Sequence, residues 1–129
     1  MKIKISDPTL RDGNHAVNHS ISISNIKEYC KIGEKIGIDI IEVGHGNGIG
    51  ASSIQVGISR HDDKTMLKTA RRYLKKTKLG IHSIPGFSSI EKNLAPAINL
   101  GVDIVRVASH CTESNPQFKQ IEYCKKKKY

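Results

Sequence analysis

Three side chains with distinct chemistry stand within five residues of one another: Arg11, Asp12 and His15, in the stretch Ser6-Asp7-Pro8-Thr9-Leu10-Arg11-Asp12-Gly13-Asn14-His15. A guanidinium is a fixed positive charge with a planar fork of donors. A carboxylate is a hard ligand for divalent cations, and an imidazole exchanges a proton near neutral pH. On one glycine-containing loop they could bind an oxyanion, hold a metal and move a proton. The competing reading is a polar turn closed by an Arg–Asp surface pair, since exposed ion pairs are common.

The elements that must position this loop are legible from periodicity. Lys2-Ile3-Lys4-Ile5 alternates and reads as a first strand. Asn25, with Glu28 three residues on, suits a capping box, and Ile26, Tyr29, Cys30, Gly33 and Ile36 follow at helical spacing up to a Gly37 stop. Ile38 to Val43 reads as a buried strand, followed by a long glycine-rich loop from Gly44 to about Asp62. A second helix from Asp63 to about Lys76 precedes a third strand, Leu79 to Ile84. Ser88-Ser89-Ile90-Glu91 opens a third helix, which contains Pro96, a residue that normally kinks a helix. A fourth strand covers Val102 to Ala108, and Asn115-Pro116 starts a fourth helix.

The order is β-α-β-α-β-α-β-α, with an internal repeat. Gly37-Ile38-Asp39-Ile40-Ile41-Glu42-Val43 matches Gly101-Val102-Asp103-Ile104-Val105-Arg106-Val107 through identities and Ile-for-Val exchanges, apart from Glu42 against Arg106. Regular βα repetition implies parallel strands with right-handed crossovers and favours a (β/α)8, or TIM, barrel. A full barrel takes roughly 250 residues, so residues 1–129 read as a single partial barrel domain, about the first four of eight units: a truncated half-barrel. The alternative is a self-sufficient small α/β domain. The lysine run Lys125 to Lys128 at the end is compatible with a frameshift product.

In such a barrel the active site lies at the C-terminal ends of the strands. There the sequence places Arg11, Asp12 and His15 after strand one, Glu42 and then His45 after strand two, and Arg106, His110, Cys111 and Thr112 after strand four. His82 on strand three could face either way. Gly46-Asn47-Gly48-Ile49-Gly50-Ala51 satisfies a relaxed dinucleotide fingerprint but lacks the acidic residue downstream. His110-Cys111 are two adjacent donors and no chelate, and His19 and His61 read as surface histidines.

Composition narrows the partners. The net charge is +9, of which the terminal lysine run supplies four. The remainder is scattered over helix faces with two Phe, four Tyr and no Trp, unlike the basic stripe with aromatics of a nucleic-acid binder. Three cysteines without metal spacing suit reduced thiols and a cytoplasmic setting. No apolar stretch approaches the ~20 residues of a membrane helix, and there is no signal-peptide core.

The stretch Ser6 to Val17 resembles the N-terminal signature of 4-hydroxy-2-oxovalerate aldolases, in the metal-dependent superfamily of hydroxymethylglutaryl-CoA lyase and isopropylmalate synthase. The likeness continues through Ile40-Ile41-Glu42-Val43-Gly44-His45-Gly46-Asn47-Gly48, Gly50-Ala51-Ser52-Ser53, Val107-Ala108-Ser109-His110-Cys111-Thr112-Glu113 and Ile121-Glu122-Tyr123. The Arg–Asp pair marks the superfamily, and the Gly-Asn-His that follows points to the aldolase branch.

The resemblance implies retro-aldol cleavage of 4-hydroxy-2-oxo acids to pyruvate and an aldehyde, with a divalent cation, commonly Mn2+, binding the keto acid. It implies Asp12 as a metal ligand, Arg11 as the charge that meets the enolate and binds substrate, His15 as the base for the 4-hydroxyl, and Glu42 as a carboxylate that either faces the substrate or supports the groups that do. The family's remaining ligands, a His-x-His pair among them, have no counterpart in the chain, so the fragment by itself is expected to be inactive. Full-length members of the family contact an acylating acetaldehyde dehydrogenase through a C-terminal region that has no counterpart here. Two other readings compete: an acyl-CoA-condensing synthase or carboxyltransferase of the same superfamily, and a non-catalytic half-barrel whose open edges recruit a partner, with a homo-oligomer as one form.

Overall fold

The computed structural model describes residues 3–127. Four parallel strands alternate with four helices in chain order: β1 (Ser6–Asp7), α1 (Ile23–Ile36), β2 (Ile40–Glu42), α2 (Asp63–Tyr73), β3 (Lys78–Ser83), α3 (Ala95–Asn99), β4 (Ile104–Val107) and α4 (Gln117–Lys126). The strand order β1-β2-β3-β4 is parallel throughout, as in one half of a (β/α)8 barrel.

Strand alternation divides the sheet into two faces. Ile41, Val43, Leu79 and Ile81 turn toward the helices and are fully buried with Ile26, Cys30, Met66, Leu67, Ala70 and Leu94. Ile40, Glu42, Gly80, His82, Ile104 and Arg106 share the other face, as the register Glu42 to Gly80 and His82 to Arg106 requires. The core therefore sits on one side of the sheet only.

Several local expectations shift. The first strand is Ser6–Asp7 rather than Lys2 to Ile5, and Lys2 lies outside the described residues. The ladder to β2 only begins where Ile40 N–H donates to the Ile5 carbonyl, so Ile3 and Ile5 stay exposed. Helix α1 starts earlier than Asn25: Ser22 is the N-cap, its hydroxyl accepting from Asn25 N–H while the Asn25 side chain accepts from Ser22 N–H. Asn25 thus fills the third position of the box rather than its cap. Gly37 ends the helix at φ 80°, a left-handed stop that suits glycine.

Pro96 is accommodated by a change of helix type. Residues Ile90–Leu94 form a π-helical segment whose N-cap is Ser89, and α3 follows with Pro96 in its first turn. Leu94 N–H donates to Ser89 O and Ala95 N–H to Ile90 O, both five residues back. The wide turn re-registers the helix, so Pro96 falls where a missing N–H removes no bond.

No helix of the described residues is long and apolar enough to cross a membrane.

Candidate active site

The corner forms because the chain leaving β1 turns at once. Arg11 and Asp12 N–H groups both donate to Pro8 O, and Asp12–Val17 continue as a 3-10 helix. Asn14, almost wholly buried, ties this helix to the strand-two loop: its amide donates to Gly44 O at 2.9 Å and its oxygen accepts from Ile21 N–H.

Arg11 is buried and fully oriented. Its Nε donates to Glu42 Oε2 at 3.0 Å, and its Nη1 donates to Asp12 Oδ1 at 2.9 Å and Gly46 O at 3.0 Å. Glu42, at the end of β2, also accepts from Arg106 Nε at 2.7 Å and Nη2 at 2.8 Å. Burial works against the Glu42 charge, but the hydrogen bonds and charge of Arg106, then those of Arg11, outweigh it. The carboxyl sits below the ordinary carboxylate range. One acid thus bridges two guanidiniums, and a fourth charge, Asp12, stands beside Arg11.

His82 proves to share the Glu42 face. Its Nδ1 lies 3.1 Å from Arg106 O. Burial first, then the positive charges of Arg106 and Arg11, push its pKa down.

His15 is exposed at the rim, above the backbone of Gly46. A Cβ at Gly46 would stand 2.3 Å from His15 Nε2, so only glycine allows this approach. Beneath it, His19 and His45 are stacked, with ring centroids 3.7 Å apart and planes 12° from parallel. His15 meets His19 edge-on at 5.0 Å. His19 is buried, against the expectation of a surface residue, because the Gly44–Gly57 loop folds over it. His45 Nδ1 accepts from Asn47 N–H at 3.0 Å and its Nε2 donates to Gly57 O at 3.0 Å, which fixes a neutral tautomer. Burial pushes both His19 and His45 down. His61, the other expected surface histidine, is half-buried, and its Nε2 is buried without a partner among the described residues.

The glycine-rich loop does not cradle a dinucleotide. Its N–H groups are engaged within the fold, Gly48 on His45 O, Ile49 on His82 O and Gly50 on the Asp63 carboxylate, and α2 begins only at Asp63. His110 and Cys111 are both exposed and make no common site.

Asp12 keeps its side chain 63% exposed, with one oxygen on Arg11. Among the described residues no three His, Cys, Asp or Glu side chains are arranged to hold a metal. A divalent cation needs several hard ligands, so Asp12 alone does not make that site. An open cleft of about 640 Å³ lies between the β3 and β4 loops, lined by Asn47, Phe87, Ser109 and His110 among others.

The structure therefore brings Arg11, Asp12 and Glu42 into one hydrogen-bonded group with His15 at its rim. Sequence reasoning placed Arg106 at the fourth strand end without seeing that it shares Glu42 with Arg11. The signal was present: Glu42 and Arg106 are the one clear mismatch between the two repeat copies.

The chain is 54% identical over 123 residues to a 4-hydroxy-2-oxovalerate aldolase of Spirochaeta aurantia, which covers 95% of this chain and 36% of that protein. It is 52% identical over 121 residues to 4-hydroxy-2-oxovalerate aldolase 2 of Salinispora arenicola, covering 94% and 35%. It thus spans about a third of the length of the curated relatives it matches. Among solved structures, the N-terminal domain of a proposed aldolase from Bacteroides vulgatus superposes with a TM-score of 0.75 at 25% identity, covering 96% of this chain and 41% of that one. The HMGL-like family model matches residues 2–126, and the chain belongs to the HMGL-like family.

Proposed function

We propose that residues 1–129 are a partial barrel domain carrying the N-terminal corner of a retro-aldol site that cleaves 4-hydroxy-2-oxo acids to pyruvate and an aldehyde. The observation that carries this reading is the held guanidinium of Arg11 between Glu42 and Asp12, with the His15 imidazole at the same mouth. Identity above 50% to proteins named 4-hydroxy-2-oxovalerate aldolase supports it.

His15 takes the proton from the substrate's 4-hydroxyl as the C3–C4 bond breaks. The carbonyl that forms leaves as the aldehyde, and the bonding pair moves onto the pyruvate half as an enolate. Arg11 has Nε and Nη1 committed to protein acceptors, and its Nη2 is the donor left to face the enolate oxygen. A donor fixed in advance stabilises charge as it develops without reorganising. Protonation at C3 then gives the pyruvate methyl group. Glu42 holds Arg11 in place and balances its charge.

A divalent cation, Mn2+ in this reading, supplies Lewis-acid stabilisation of an enolate in such chemistry. Asp12 offers it an exposed carboxylate, and the other ligands must come from residues outside those described. The chain by itself is accordingly expected to be inactive on 4-hydroxy-2-oxovalerate, and the three free cysteines suit a cytoplasmic setting.

The test is pyruvate release from 4-hydroxy-2-oxovalerate with Mn2+, using the chain mixed with the C-terminal two-thirds of the Spirochaeta aurantia relative. Turnover that disappears with His15→Ala and Arg11→Ala supports the proposal. Turnover indifferent to both substitutions, or condensation of acyl-CoA instead, overturns it.

A further inference from the structure

Among the described residues, Asn18 and His19 are the two non-glycine residues with positive φ, at 49° and 56°. Asn18 is there to cap the 3-10 helix, its N–H donating to the Asn14 and His15 carbonyls. His19 repeats the turn: its N–H donates to Asn14 O at 2.7 Å, and its carbonyl accepts from Arg60 N–H at 3.0 Å. Histidine enters this region more readily than most residues, but glycine does so without strain. A side chain kept at a position whose backbone suits glycine points to a use for its ring.

The space for that ring is made by glycines far along the chain. A Cβ at Gly57 would come within 2.8 Å of His19 Cδ2 and Nε2. One at Gly46 would come within 2.5 Å of three consecutive atoms of His15, Cδ2, Nε2 and Cε1. Near-equal distances to adjoining ring atoms put the Gly46 backbone under the flat of the His15 ring and not at its edge. His19 is tied to the same glycine, its Nδ1 accepting from Gly46 N–H at 3.5 Å, and it meets His15 at 5.0 Å with planes 72° apart. His15, exposed elsewhere, thus has two fixed walls.

His19 has no room to give way. It is stacked on His45, which is fully buried and held through both ring nitrogens by Asn47 N–H and Gly57 O. Burial favours the neutral form of both stacked rings. A proton taken up by His15 therefore lies beside an uncharged ring and not beside a second cation.

We propose that His19 is a positioning residue: wedged between His15 and His45, its ring fixes the plane of the His15 imidazole over Gly46, so that the base meets the substrate's 4-hydroxyl in one orientation. An exposed side chain without such walls samples several rotamers, and a base that is seldom aligned takes the proton more slowly. The catalytic part rests on the role of His15 in the proposed retro-aldol cleavage; the positioning is a property of this chain.

The test separates ring from backbone. His19→Gly suits the left-handed backbone and removes the ring, while His19→Phe keeps a flat ring and removes both nitrogens. In the chain alone, nuclear Overhauser contacts between the His15 ring protons and the Gly46 α protons are expected in the wild type and in His19→Phe, and are lost in His19→Gly. Should the glycine variant lose its fold, His19→Asn, also tolerated in the left-handed region, takes its place. In the mixture with the C-terminal part of the relative, His19→Gly is expected to lower kcat roughly tenfold with KM little changed, and His19→Phe to restore most of the loss. Contacts that persist in His19→Gly or vanish in His19→Phe overturn the proposal, as does an active mixture whose kcat His19→Gly leaves unchanged. A mixture without turnover, with the contacts behaving as expected, supports the positioning and sinks the reaction assigned to His15.

Discussion

Glu42 and Arg106 occupy the same position in the two copies of the internal repeat, 64 residues apart, and bind each other through two hydrogen bonds of 2.7 and 2.8 Å. The divergence between the copies is what makes the contact: two carboxylates there would repel, and two arginines would leave Arg11 without its acceptor.

Removing the acid from this group should cost more than removing Arg106. Glu42→Ala leaves two guanidiniums facing each other beside a buried site, and breaking a buried pair in this way costs about 3 kcal/mol. Arg106→Ala should cost about 1 kcal/mol or less, since its side chain is 46% exposed and water screens the pair. Urea unfolding of both variants measures the order. Equal losses would mean that the exposed Arg106 pair is not screened by water as argued.

Acid stability should depend on a carboxylate far from the mouth. Burial opposes the Glu34 charge, but the N–H groups of Lys76, Thr77 and Lys75 outweigh it and hold its pKa down at about 2. A carboxyl whose pKa is lower folded than unfolded contributes fully above the unfolded value of 4.5, and that contribution fades as pH falls toward 2. Glu34→Gln should therefore flatten the loss of stability across that window, read by urea midpoints at a series of pH values.

The stacked histidines set a second pH window, nearer neutrality. His19 and His45 have folded pKa values below the ordinary 6.5, chiefly through burial. Protons then bind the unfolded chain more readily, so stability falls as pH drops below 6.5. The ring nitrogen shifts of His45 in NMR should show the Nε2–H tautomer at pH 7. An Nδ1–H signal would contradict the hydrogen bonds assigned to Asn47 and Gly57.

Gly46→Ala should separate activity from stability. The new methyl meets the ring of His15, an exposed side chain that can swing aside. Stability should change by less than about 1 kcal/mol, while turnover in the assembled enzyme drops at least tenfold if His15 is the base. Gly33→Ala should do the reverse: its methyl would stand 2.4 Å from Ile41 Cδ1 in the core, and overpacking there costs about 1–3 kcal/mol.

The order of elements was legible because each βα unit carries its own periodicity and stop signal. Strands two to four fell within a few residues of their expected positions, and Arg11, Asp12 and Glu42 were named from type and place alone. What escaped was set by neighbours distant in sequence. The 3-10 helix at Asp12–Val17 has no apolar period of its own and is fixed by Asn14 on Gly44. His19 reads as polar surface until the loop from Gly44 to Gly57 covers it. Pro96 stood unexplained inside the expected third helix because a π turn leaves no mark in sequence spacing.

The strand order has a kinetic meaning. Each strand pairs with the one made just before it, so the registers Ser6 to Ile40, Ile40 to Lys78 and Gly80 to Ile104 close loops of only 34, 38 and 24 residues. Among the described strands each pairs first with the strand made just before it, and closure entropy is met there in small steps. A nascent chain leaving the ribosome can lay down the sheet unit by unit, each helix sealing its strand as it emerges. The Arg11–Glu42 contact then forms once the second unit is made, and Arg106 locks it two units later.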